Sequence, residues 1–118
     1  MKDRMGTLTD GERSWPIVNN LNVMEAIQQE FGSWSAWADK TVTRDGEKEI
    51  DIKALKFGIM AMINEGIDIQ NEETGEKRPF VTAKQVGRIL TAVGIEEATK
   101  TMQNTVVESV ETEEAKNG

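Results

Sequence analysis

The chain has 118 residues, a formal charge of −7 and a pI near 4.7, with 37% hydrophobic and 30% charged residues. That is the size of one domain with a single core, and its acidity opposes nucleic-acid binding, which needs clustered Lys and Arg to neutralise phosphate. With no His and no Cys, zinc chemistry, His-assisted nucleophiles and disulfides are excluded, and no apolar run approaches the roughly 20 residues of a membrane span.

The opening MKDRMGTLTDG lacks the apolar block of a secretory signal, so the expected compartment is the cytoplasm. In residues 7–18, TLTDGERSWPIV, Asp10-Gly11 lies between flanks that can extend, which predicts a small β-hairpin with a two-residue turn. Pro16 lacks a backbone amide, so its strand is an edge or ends there, and Trp15 is expected to lay its ring over the nearest helix as core cover.

A first helix is predicted over 23–31, with Asn22 as cap of a capping box and Met24, Ile27 and Phe31 as its buried stripe. Gly32 stops it, and Ser33 can cap a new turn that carries Trp34 and Trp37 on one face. Those two rings fit either core packing or an exposed aromatic anchor for a partner. The polar stretch KTVTRDGEKEI, 40–50, reads as a loop that can pinch into a turn at Asp45-Gly46.

The central element is predicted over 51–66, DIKALKFGIMAMINEG, capped by Asp51 and ended by Gly66. Ile52, Leu55, Ile59, Met62 and Ile63 recur at helical spacing, and Phe57 and Met60 widen the stripe until the helix has to be buried. A long loop is expected over 67–81, with a second hairpin as the alternative. Thr82 and Gln85 then form a capping box for a helix whose Val86, Ile89, Leu90 and Val93 face the core and which Gly94 closes. The last helix is predicted over 96–109, with Ile95 at its entrance and a narrow seam of Ala98, Met102, Val106 and Val110. So thin a stripe suits fraying or packing on another subunit.

These elements predict a mainly α fold: a small helical domain of four to five helices around a central apolar helix, with a short N-terminal β-hairpin. The domain spans 1–110, and 111–118, lacking apolar periodicity, is expected to be an acidic disordered tail.

Motifs for chemistry are weak. Asp68-Ile69-Gln70-Asn71-Glu72 opens like a calcium loop, but the required sixth-position Gly is Glu73 and the twelfth-position Glu is Pro79. Carboxylate pairs such as Glu25/Glu30 and Glu108/Glu111 read as solvated faces, and there is no phosphate-binding glycine loop or nucleophile elbow. Met24, Met60, Met62 and Met102 suit gap-filling in a core, or an adaptable groove for helical partners. The residues therefore point away from an enzyme, and the candidate partner-binding residues are Trp34, Trp37, Met102 and Val106.

An aromatic strand pair, then LNVMEAIQQEFGS, a central apolar helix, a T-x-x-x-V-G-R-I-L helix and an acidic end together resemble the tail assembly chaperones of long-tailed bacteriophages, a prophage tail protein family. The resemblance covers 6–110 and rests chiefly on 21–32 and 82–94. It implies a small helical protein without cofactor or catalysis. Such a protein binds the phage tape measure protein, keeps it soluble and assists recruitment of the tail-tube protein. It also implies a homo-oligomer in the cytoplasm of the bacterial host that is absent from the finished tail. A small acidic regulatory or inhibitor protein with one defined protein target is the alternative.

Overall fold

A computed structural model of the chain describes residues 5–41 and 49–117, with side chains described up to Val107. A hairpin of β1 (Gly6–Thr9) and β2 (Ser14–Ile17) precedes five helices among the described residues: α1 (Leu21–Phe31), α2 (Trp34–Thr41), α3 (Ile52–Thr74), α4 (Ala83–Val93) and α5 (Ile95–Asn117). The fold is mainly α, and the antiparallel hairpin is where the sequence places it.

The hairpin turn differs from the two-residue form. Thr9 pairs with Ser14, leaving a four-residue loop, Asp10 to Arg13. Asp10 organises it, because its Oδ1 accepts from the amides of Glu12 at 2.9 Å and Arg13 at 2.8 Å. An Asx turn of this kind competes successfully with the tighter turn that Asp-Gly alone suggests.

At 23 residues α3 is about 34 Å long at ~1.5 Å per residue, and β2, α1, α2 and α4 all pack on it. Asp51 caps it as predicted, accepting from the Ala54 amide at 3.0 Å. Gly66, however, does not end it. Ile67 continues the apolar period from Ile63 and both are fully buried, which offsets the ~1 kcal/mol that a mid-helix glycine costs. The helix stops at Gly75, in the left-handed region at φ 77°, whose N–H donates to Asn71 O at 2.9 Å. The predicted loop over 67–81 accordingly shrinks to the residues after Thr74.

What Gly66 provides is clearance. A β-carbon there would lie 2.9 Å from Pro16 Cβ and 3.1 Å from the Pro16 carbonyl carbon. Beside it, the Val18 amide donates to Met62 O at 3.3 Å, so the end of the hairpin rests on the main chain of α3. On the other face of the strands Leu8, Trp15 and Ile17 are buried, with Trp15 serving as the core cover predicted for it. A β-carbon on Gly6 would stand 3.4 Å from Thr105 Oγ1, which places α5 against the open end of the hairpin.

The loop after Gly75 has no regular structure, yet it is held. Asn64 donates to Val81 O at 3.1 Å and accepts from Val81 N at 2.8 Å. Asn71 does the same for Arg78, at 3.0 and 3.1 Å. Seven residues apart, these two amides share one face of α3 and stand in for a neighbouring strand.

Two helix starts shift. The cap of α1 is Asn20, which accepts from Val23 N at 3.2 Å. Asn22, the predicted cap, sits inside the first turn and donates instead to Glu65 Oε2 at 2.8 Å, alongside Asn20 at 2.7 Å. Ser33 caps α2 and the Thr82/Gln85 capping box opens α4, both as predicted. Helix α5 begins at Ile95 and its backbone remains helical to Asn117, past the predicted end at Ser109. The side chains of the expected tail lie outside the described residues, as does the turn read at Asp45-Gly46.

Candidate functional site

Of the four predicted partner-binding residues, two are core. Trp37 is 1% exposed; its indole N–H donates to Ala54 O at 2.9 Å and its ring lies over Gly58. Met102 is fully buried. Neither offers a face to a partner, because burial of so large a side chain is worth more to the fold than exposure. Trp34 and Val106 are half-buried against the same core. Trp34 tilts on Trp37 with ring centroids 4.8 Å apart, and its helix packs on α1 and α3, whereas α5, carrying Val106, packs on β1 and α4.

Exposed apolar side chains lie elsewhere, singly at Leu21, Phe80 and Val107 and together in one groove. A groove of about 330 Å³ runs between the start of α3, the second half of α4 and the α4–α5 junction, lined by Ile52, Lys56, Gly87, Leu90, Thr91, Gly94 and Ile95. Ile52 is 48% and Ile95 43% exposed, so two branched aliphatic side chains stand open in the same lining as the buried Leu90. Each is the first residue of its helix, directly after Asp51 or Gly94, where the backbone is set by the cap. Gly87 keeps the wall low, and a β-carbon there would touch only Lys56, whose Cε and Nζ would both lie at 3.5 Å. The Thr91 hydroxyl is spent within its own helix, donating to Gly87 O at 2.9 Å.

Sequence reasoning assigned Ile52 to the buried stripe and Ile95 to a helix entrance. Periodicity places Ile52 on its helix but carries no information that the two helix starts line one groove; the one readable signal was a large apolar residue immediately after each cap.

Chemically the groove offers an apolar floor, two aliphatic jaws and the Lys56 ammonium. That equipment suits an apolar side-chain row with an acidic flank. Among the described residues no group of three or more His, Cys, Asp or Glu is placed to hold a metal ion, and no helix is long and apolar enough to cross a membrane. In comparisons with known proteins, no family model, curated protein or solved structure matches the chain.

Proposed function

We propose that this chain is a tail assembly chaperone of a long-tailed bacteriophage. In the cytoplasm of the bacterial host it binds the tape measure protein, keeps its hydrophobic helices soluble and assists recruitment of tail-tube subunits, without catalysis and without entering the finished tail. The resemblance over 6–110 supplies the partner, and the open groove of Ile52, Leu90 and Ile95 is the observation that supports the reading. An amphipathic helix laid in such a groove buries its i, i+3, i+4 anchors, which is how helical segments are commonly captured. The formal charge of −7 keeps loaded complexes apart from one another and from nucleic acid.

Co-expression tests this. The tape measure protein is expected to remain soluble and co-purify with the wild-type chain, and to precipitate when Ile95→Glu replaces it. Equal solubility with and without the chain overturns the reading.

A further inference from the structure

The groove between α3 and α4 is lined by one charged side chain, and that charge stands at one end. Lys56 is half-buried in the wall, one turn after Ile52 on α3. Its Nζ would lie 3.5 Å from a β-carbon on Gly87, so the ammonium rests against α4 at the level of Gly87. No carboxylate lines the groove, and Lys56 makes no ion pair among the described residues. The other polar side chain of the lining, Thr91, donates within its own helix. Gly87 precedes Gly94 by two turns, about 10 Å along α4, and Ile95 follows directly. The groove accordingly has a cationic end at Gly87 and an apolar end at Ile95.

We infer that Lys56 selects which segments the groove accepts: amphipathic helices that carry a Glu or Asp two turns away from the apolar residue seated on Ile95. The inference rests on the groove being the capture site proposed above. In a helix laid along α4, positions seven residues apart share a face, so a residue two turns from the Ile95 anchor meets Lys56. An apolar residue there would cover the ammonium and leave it without a partner, and a Lys would set like charges together. A carboxylate supplies the missing counter-charge and accepts from the ammonium. This choice runs against the field of the whole chain. A charge of −7 draws basic segments at long range, but that attraction fades over a Debye length of about 10 Å, whereas Lys56 acts at contact. One side chain thus lets an acidic protein prefer acidic helices at this groove.

Fluorescence anisotropy on the full chain, with two labelled synthetic helices of identical composition, tests the inference. Both carry the same Leu row. One has Glu at the positions seven residues to either side of the central Leu and Lys on its outward face; in the other, Glu and Lys are exchanged. Equal net charge removes the long-range field from the comparison. The wild type is expected to bind the first helix roughly three- to tenfold more tightly. Lys56→Gln should bind both alike and Lys56→Glu should reverse the order, each variant being checked for native helicity. No preference in the wild type, or the same preference in both Lys56 variants, overturns the inference while the groove reading stands, provided that Ile95→Glu abolishes binding. If neither helix binds the wild type, or if Ile95→Glu binds undiminished, both are overturned.

Discussion

The indole of Trp37 fills the space that a β-carbon on Gly58 would need: that carbon would lie 2.9 Å from both Cε2 and Nε1 of the ring. The same Nε1 is tied to Ala54 O at 2.9 Å, one turn earlier on α3, so the ring is fixed at its polar edge and has nowhere to retreat. Gly58→Ala is therefore expected to destabilise by about 1–3 kcal/mol through overpacking, despite a helix-propensity gain of up to ~1 kcal/mol. Chemical denaturation measures this, and a stability equal to or above wild type would show that α2 can shift.

The burial of α3 predicts a larger loss at its centre. Leu55 and Ile59 are fully buried, and Leu55→Ala and Ile59→Ala should each cost roughly 2–5 kcal/mol by lost transfer energy plus cavity. Losses below ~1 kcal/mol for both, read from the denaturation midpoint, would place the core elsewhere.

Asn64 and Asn71 hold the Arg78–Val81 stretch with both amide functions. Removing Asn64 leaves the N–H and C=O of Val81 without their partner, so Asn64→Ala should cost about 1–3 kcal/mol. Asn71→Ala removes the matching pair of bonds from the half-buried Arg78 and is expected to loosen the loop. Tryptic cutting after Lys77 reads it: faster cleavage in the Asn71 variant is predicted, and an unchanged rate contradicts the clamp.

Asp10 gives a pH signature. The Arg13 and then the Glu12 amides hydrogen-bond its carboxylate and hold its pKa below the ordinary value of 3.8. A folded pKa below the unfolded one means that the carboxylate favours the folded loop at pH above about 4. This support is lost as pH falls below 3.8 and through the depressed folded value. The amide resonances of Glu12 and Arg13 should follow that titration, and in Asp10→Asn they should not. Resonances that move identically in both proteins would rule the Asx turn out.

Which parts of this fold were legible in the sequence follows from what each signal encodes. The Thr82/Gln85 box and the Asp51 cap are local devices, and both were readable. Gly66 and Gly75 look alike as letters; the difference is Pro16, fifty residues earlier, which needs the missing side chain of Gly66 to approach α3. Asn20 and Asn22 are likewise equivalent locally and both donate to Glu65, yet only Asn20 also accepts from the first turn of the helix. Trp37 and Met102 combined an aromatic or flexible side chain with helical spacing, features shared by cores and interfaces, so only packing separates them. The groove has no signature in the sequence because Ile52 and Ile95 line it together through tertiary structure alone.

The proposed capture of amphipathic tape-measure segments by this groove is read from their affinity for the chain. Ile52→Glu and Ile95→Glu alter exposed side chains at helix starts, so each variant should keep the fold while placing a carboxylate on an apolar contact. Titration calorimetry or fluorescence anisotropy with a labelled segment should show at least about tenfold weaker binding for each, a loss of ~1.4 kcal/mol or more. Trp34→Ala, away from the groove, should bind as wild type does. Undiminished binding by both glutamate variants, with binding lost in Trp34→Ala, would contradict the account and move the binding face to α2.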